Sequence, residues 1–504
     1  MLSIFDHGRA AACPSPFNMA AHVLARAHLD PLKDALVIIG ANHVERWSYG
    51  DLERAVRATA TGLLELGLVP GDRVLMRLGN TVDFPIAYLG ALTAGLVPIP
   101  SSSALTEPET ARIIAQTAPK LILRDETVAC PANAAILSLE TLRGFRTLAR
   151  APFHMGDPER IGYIIYTSGT SGVPRAVAHA HRAIWARQMM FEGWYGLRPD
   201  DRVLHAGAFN WTYTLGTGLM DPWTMGATAL IPAPGTAADA LLALLARHEA
   251  TIFAAAPGVY RQLLKSTEPF ETHRLRHGLS AGEKLPPRLA DGWRDRTGTD
   301  LFEAYGMSEC STFISSAPAH PAASETLGRP QPGRRVALLD ENGPVPLGRE
   351  GTIAIDRRDP GLMLGYLDAP DATAARFQGE WFMTGDQGVM SEDGQITYLG
   401  RNDDMMNAGG YRVSPIEVEA VLTTLPDMTA VAVTDVLIKE DTRVIAAFYT
   451  GPVALDDQVL NAYVSDKLAR YKQPRLYIHL SELPMGANGK ILRRALRDNF
   501  EVPE

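Results

Sequence analysis

Between residues 45 and 305 the apolar positions alternate between two periods. The stretch 51–66 repeats its apolar residues at helical spacing, and 84–93 does so again. A short apolar run, 73–78, lies between them behind the turn signal Pro70-Gly71-Asp72. Val97-Pro98-Ile99-Pro100 returns to an extended form. The rhythm then predicts strands at 161–166, 202–206 and 251–255, and helices over 181–191, 238–248 and 258–264. Short apolar runs bounded by turns fit buried strands, and a period of 3.6 fits helices packed against them. The alternation predicts an α/β fold of mostly parallel sheets covered by helices.

From about residue 326 the texture changes. Residues 335–339, the turn Glu341-Asn342-Gly343 and 352–355 read as antiparallel strands, and 389–391, Asp393-Gly394 and 396–399 as a second hairpin. A β-rich subdomain is expected over about 326–400. The polar stretch Arg401-Asn402-Asp403-Asp404 reads as a linker. Ser414-Pro415-Ile416-Glu417 then carries helix-start signals, with Ser414 as N-cap, Pro415 as first helical residue and Glu417 as capping-box partner. Strands at 429–434 and 444–449 and helices over 457–470 and 491–498 complete an α+β unit of about 100 residues.

Composition narrows the class. A chain of 504 residues, 46% hydrophobic and 21% charged, suits a globular protein of more than one domain. A net charge of −9 argues against a broad basic face, so no nucleic-acid partner is expected. Cys13, Cys130 and Cys310 are scattered without a C-x-x-C, which fits a reducing compartment rather than a disulfide framework. Neither a signal peptide nor an apolar run long enough for a membrane span is present, and the expected location is cytoplasmic. Of the 48 basic residues only eight are lysine, so a retained lysine such as Lys490 invites a reason.

The densest chemistry follows the strand at 161–166. Thr167-Ser168-Gly169-Thr170-Ser171-Gly172 packs four hydroxyls and two glycines into six residues, and Arg175 adds a cation. Hydroxyls and glycine amides are what a loop needs to surround phosphate oxygens. The pattern is not a Walker A loop, because it lacks G-x-x-x-x-G-K-[ST].

Tyr166 through Ala176 resembles the signature of the adenylate-forming superfamily, Y-T-S-G-T-[ST]-G-x-P-K-G, with Arg175 in place of lysine and Ala176 in place of glycine. That superfamily includes acyl-CoA synthetases, luciferases and carrier-protein adenylation domains. Further motifs follow in the family's order: Ser280-Ala281-Gly282-Glu283, Glu303-Ala304-Tyr305-Gly306-Met307-Ser308-Glu309, Thr384-Gly385-Asp386, Gly400-Arg401-Asn402-Asp403-Asp404, Gly409-Gly410-Tyr411 and Gly489-Lys490. The resemblance spans almost the whole chain.

It implies that ATP is held by the loop 167–172 with Arg175, by Gly282, Glu283, Glu303 and Ala304, by Tyr305 against adenine, by Asp386 at the ribose hydroxyls and by Arg401. Glu309 and Thr170 would bind Mg²⁺, a hard cation suited to carboxylate and hydroxyl oxygens. Ser308, Glu309 and Lys490 would be catalytic, with Lys490 on a mobile element. Domains are then expected at 1–400 and 407–504, the second a lid turning about Asp403 in a hinge at 401–406. Gly409, Gly410 and Tyr411 would line the coenzyme A tunnel in the second arrangement.

The expected acyl pocket is built from Phe209, Trp211, Tyr213, Ala281, Gly306 and Met307. The run from Trp211 to Gly226 is similar to the acetyl/medium-chain acyl-CoA synthetase branch, with benzoate-CoA ligases as near relatives. A short to medium alkyl acid and an aromatic acid both fit such walls. With no carrier domain before Glu504, coenzyme A is the expected acceptor. A separate carrier protein and a non-catalytic nucleotide-binding homologue are the alternatives. Either a monomer or a homodimer is expected.

Overall fold

Strands buried on both faces need apolar residues at every position, and the apolar runs of this chain pair with one another accordingly. The computed structural model describes residues 1–504 except 41–42, 133–134, 168–174, 267–272, 402–403, 409–410, 440–441, 466, 469, 487–490 and 501–504. Packing divides the chain into two compact units.

One unit comprises Phe5–Arg335 and Ile355–Phe382. Its largest sheet orders nine described strands as Arg329–Pro330, Ser311–Ser315, Asp300–Met307, His277–Ala281, Ile252–Ala255, Arg202–His205, Thr228–Pro232, Asp34–Ile39 and Val44–Ser48. From Asp300–Met307 to Asp34–Ile39 every neighbouring pair is parallel. The flanking pairs are antiparallel. A second sheet, Val97–Pro100, Arg73–Arg77, Leu121–Arg124 and Ile136–Ser138, is parallel throughout. A third is the antiparallel pair Ile161–Thr167 and Arg175–Ala180, to which Gly365–Tyr366 adds an edge. The phosphate-type loop thus joins the two strands of a hairpin, with Thr167 opposite Arg175.

Helices cover these sheets as their periods require. Ser48 caps Tyr49–Glu65 by accepting the Asp51 N–H at 3.1 Å. Asp83–Thr93 is buried at every position, which suits its nearly unbroken apolar sequence. A capping box formed by Thr106 and Glu109 opens Glu107–Thr117. The helix expected over 181–191 is instead a short α segment, Ala183–Ala186, and a π turn, Phe191–Tyr195, closed by Gly196 in the left-handed region. Tertiary packing decides this winding. Trp194 and Tyr195 are buried in a cluster with Tyr213 and Phe302, while Arg187 is drawn inward to the Asp221 carboxylate. A second π stretch, Thr214–Met220, leads into Asp221–Met225.

The other unit comprises Met1–Ile4, Val336–Ala354 and Met383–Glu504. The expected hairpin around Asp393-Gly394 is present, with Met390 opposite Ile396 and Asp386 opposite Arg401. Arg335–Asp340 and Glu350–Asp356 are neighbours in one sheet, as the pattern predicts, but the turn at Glu341-Asn342-Gly343 does not join them directly. It folds back first as Gly343–Pro344 on Leu339 and Asp340, and the strand Glu350–Asp356 comes afterwards. Farther along, Ala430–Lys439 pairs antiparallel with Thr442–Thr450, and Leu476–His479 adds a parallel neighbour. Val418, Leu422, Val433, Ile445, Leu460 and Val464 form their core. Ser414 is the N-cap of Pro415–Leu422, but the Glu417 carboxylate pairs with Lys472 instead of closing a capping box. Among the described residues no helix is long and apolar enough to cross a membrane.

Candidate active site

Parallel sheets bind ligands beyond the carboxyl ends of their strands, where loops diverge. Three parallel strands of the large sheet end in predicted site residues or the loops that follow them. His277–Ala281 runs into Gly282-Glu283, Asp300–Met307 into Ser308-Glu309, and Arg202–His205 into the segment holding Phe209 and Trp211.

Backbone demands explain two glycines. Gly282 has φ +96°, and a Cβ there would stand 2.8 Å from the Trp211 ring. Gly306 sits at a bulge between two strands, where a Cβ would lie 2.1 Å from the Ser311 carbonyl oxygen. Both positions therefore exclude side chains. Glu303 braces the first loop from beneath. Its buried carboxylate accepts the Leu285 N–H at 2.7 Å and stands 3.5 Å from Lys284 Nζ. Burial raises its pKa against the pull of that ammonium.

Glu309 is half-buried after the Asp300–Met307 strand. The Tyr366 hydroxyl donates to Glu309 Oε1 at 2.7 Å, and the Arg175 guanidinium lies 4.8 Å over the Tyr366 ring. A cation on the ring face and a carboxylate at the hydroxyl hold the tyrosine from both sides. Burial and the adjacent carboxylate push the Tyr366 hydroxyl up to about 12, so it stays protonated as the donor. Motif reading did not single out Tyr366; its signal is the Gly365-Tyr366 pair that extends the loop's own hairpin. Ala176, the second departure from the family pattern, is buried opposite Tyr166. Among the described residues no cluster of three or more His, Cys, Asp or Glu could cage a metal. A single hard carboxylate suits Mg²⁺ held chiefly by substrate phosphates.

A cavity of about 30 Å³ has a lining that includes Met307, Ser308, Thr212 and His179. Of the expected pocket residues, Met307 lines it, and Trp211 stands half-buried over Gly282. Phe209 is instead packed against Phe84 in the core, with ring centroids 6.0 Å apart. Tyr213 is buried between Trp194 and His205 and donates its hydroxyl to the Leu279 carbonyl at 3.1 Å. Ala281 and Ala304 are buried partners across neighbouring strands. Tyr305 is half-buried with its ring edge-on to Phe313 at 5.3 Å.

Asp386 and Arg401 belong to the other unit. There they lie opposite each other, and the Tyr398 hydroxyl reaches Asp386 Oδ1 at 3.4 Å. Ser168, Gly169, Thr170, Ser171, Gly172, Asp403, Gly409, Gly410 and Lys490 lie outside the described residues. Thr167 and Tyr411 are described as strand residues.

Residues 25–367 match the family model described as AMP-binding enzyme, and 417–490 match the AMP-binding enzyme C-terminal domain. The chain belongs to the AMP-binding enzyme family. It is 31% identical to the benzoate–CoA ligase of Thauera aromatica, over 98% of this chain and 99% of that relative. The mitochondrial acyl-coenzyme A synthetase ACSM3 of Mus musculus is 29% identical over 90% of this chain and 84% of its own. Among solved structures, the anthranilate CoA ligase AuaEII in complex with anthranoyl-AMP superposes with a TM-score of 0.86 at 26% identity, covering 96% of this chain and 98% of that one. A benzoate CoA ligase from Burkholderia xenovorans LB400 gives 0.83 at 29%, covering 95% and 100%.

Proposed function

We propose that this protein is an ATP-dependent carboxylic acid–CoA ligase. It joins a short, medium-chain or aromatic carboxylate to AMP with release of pyrophosphate, then passes the acyl group to coenzyme A with release of AMP. The observation that carries this reading is the meeting of Glu309, Tyr366 and Arg175 on the hairpin that carries the phosphate-type loop. A phosphate-loop cation and a magnesium-type carboxylate are parts that the first half-reaction requires. The similarity to a benzoate–CoA ligase and to an acyl-coenzyme A synthetase supports the same conclusion.

The chemistry explains the residue types. A carboxylate is a poor acyl donor because oxide leaves badly, and AMP is a far better leaving group. Attack of a carboxylate on an α-phosphate brings two anions together, so catalysis is mainly positioning and charge neutralisation. Glu309 and Thr170 would hold Mg²⁺, which neutralises phosphate charge when bound. The loop 167–172 and Arg175 orient the phosphates, Ser308 donates to a phosphate oxygen, and Lys490 stabilises the charge that grows at phosphorus. Tyr305, Gly282, Glu283, Asp386 and Arg401 hold the nucleoside. In the second half-reaction the lid turns at Asp403, withdraws Lys490 and brings Gly409, Gly410 and Tyr411 toward the thiol.

The test is pyrophosphate release from ATP and Mg²⁺ across a panel of acids, with thioester measured separately. Acid-dependent pyrophosphate with thioester in the presence of coenzyme A is expected. Pyrophosphate without thioester points to a carrier-protein acceptor, and no pyrophosphate with any acid contradicts the enzyme reading.

A further inference from the structure

The unit that ends the chain contains a charge pair that the mechanism above does not use. Arg493 opens the last helix, Arg493–Asp498. Its Nε donates to Glu419 Oε1 at 2.9 Å and its Nη2 to Oε2 at 2.7 Å, so the guanidinium grips the carboxylate as a fork. Both side chains are largely buried. Glu419 lies on the helix Pro415–Leu422, and its Oε1 also accepts the Val433 N–H at 2.7 Å. Arg493 Nη1 stands 3.9 Å from Asp404 Oδ2, in the segment proposed as the hinge. The two partners of the fork are 74 residues apart in sequence, so no local pattern announces them.

The last helix docks without this pair. Leu496 is buried in a core with Val436 and Phe448, and Arg497 Nη2 pairs with Asp435 Oδ1 at 2.9 Å. What the fork adds lies at the helix's first residue, three positions after Lys490. The chain leading there has a narrow base. The Leu492 N–H donates to the Pro484 carbonyl at 2.9 Å, and Met485 bridges to Ile491. Ile491 packs at the edge of the core, but Met485 and Leu492 are 53% and 45% exposed, so burial holds little of this base. Tyr411 has a support of its own, the antiparallel pairing of Met406–Ala408 with Tyr411–Val413. The fork therefore fixes the chain next to one functional element of the unit, while the other is held by its own ladder.

We propose that Glu419 is a positioning residue for the first half-reaction: through the Arg493 fork it fixes the end of the chain segment from which Lys490 acts. This rests on the ligase reading above and on the role given there to Lys490. Misplacing a charged group by a fraction of the segment's width is enough to slow a reaction that depends on positioning and charge neutralisation.

The test measures the two half-reactions separately in the full-length enzyme: single-turnover pyrophosphate release, and thioester formation from supplied acyl-AMP and coenzyme A. Arg493→Lys keeps a cation beside Glu419, so no buried charge is stranded, but gives up the fork. Glu419→Gln keeps an acceptor for the Val433 N–H and gives up the charge. Each is expected to slow pyrophosphate release by about ten- to a hundredfold and to leave thioester formation within about twofold. In a Lys490→Ala background either change should add less than about threefold, because residues that act as a unit are not additive. Equal losses in the two half-reactions, or the whole loss repeated in the Lys490→Ala background, overturns the proposal in favour of a strut that only holds the unit together. Unchanged pyrophosphate release in Arg493→Lys overturns it as well. Should Glu419→Gln fail to fold, Arg493→Lys decides. Any of these results in an enzyme that releases pyrophosphate overturns this inference alone; no pyrophosphate from the unaltered enzyme with any acid overturns the ligase reading with it.

Discussion

Glu309 presents one negative charge with one oxygen already fixed by the Tyr366 hydroxyl at 2.7 Å. Fixing the carboxylate limits the geometry in which it can meet a cation, and the Arg175 guanidinium keeps the tyrosine in place. Glu309→Gln preserves an acceptor but removes the charge. Its rate of pyrophosphate release should fall on the order of a hundredfold. Tyr366→Phe keeps the ring under Arg175 and should cost about tenfold. A Tyr366→Phe loss equal to that of Glu309→Gln in the same rapid-quench assay would contradict an orienting role. Two buried histidines are expected to weaken the fold in acid. His181 Nδ1 accepts the Met19 N–H at 3.0 Å, and His205 Nδ1 accepts the Gly207 N–H at 3.0 Å. Burial lowers both rings to about 3, against 6.5 for a solvated imidazole. The unfolded chain thus takes up their protons first as pH falls. Their contribution to stability is complete above about pH 6.5 and is lost progressively from there toward pH 3. Urea unfolding should show stability falling from pH 7 to pH 5, with a shallower slope in His205→Gln. An unchanged slope would assign the acid sensitivity elsewhere.

Elements with a clean period were legible in the sequence. Residues 51–66, 84–93 and 97–100 fold close to where their apolar spacing placed them, as Tyr49–Glu65, Asp83–Thr93 and Val97–Pro100. The stretch 181–191 was not, because its winding is set by partners far away in sequence. Arg187 is pulled to Asp221, and Trp194 donates its indole N–H to the Phe302 carbonyl at 2.9 Å. Local periodicity carries no trace of such contacts. The same reason separates the two halves of the candidate site. Glu309, Gly282 and Arg175 lie in ordered motifs, whereas Tyr88, His179 and Arg187 are brought together only by the fold. The aromatic residues Phe209 and Tyr213 looked like pocket walls by position but are packed in the core. The Arg187–Asp221 pair also makes a prediction. Asp221→Ala strands a buried guanidinium among Tyr195, Thr217 and Ser311. It should destabilise the fold by about 3–5 kcal/mol, measured by denaturant unfolding. A loss below about 1 kcal/mol would mean that water reaches the arginine.

At the scale of the molecule, the net charge of −9 leaves anionic substrates to be held by local groups rather than by a basic face. Lysine scarcity sharpens the point. Arginine stands at Arg175, where a planar cation stacks on a ring, while lysine is kept at Lys490, where a compact ammonium on a flexible stem would suit the catalytic role proposed above. The proposed hinge at Asp403 separates the two half-reactions in time. Asp403→Pro restricts one backbone torsion, so it should retain pyrophosphate release and lose most thioester formation. Equal loss of both would contradict a hinge there. The most direct measurement of the central claim is a single-turnover reaction of enzyme, ATP, Mg²⁺ and an accepted acid without coenzyme A, followed by its addition. The account predicts pyrophosphate and enzyme-bound acyl-AMP first, then stoichiometric thioester and AMP once the thiol arrives. Formation of ADP and phosphate, or an acyl-AMP that coenzyme A leaves untouched, would contradict it.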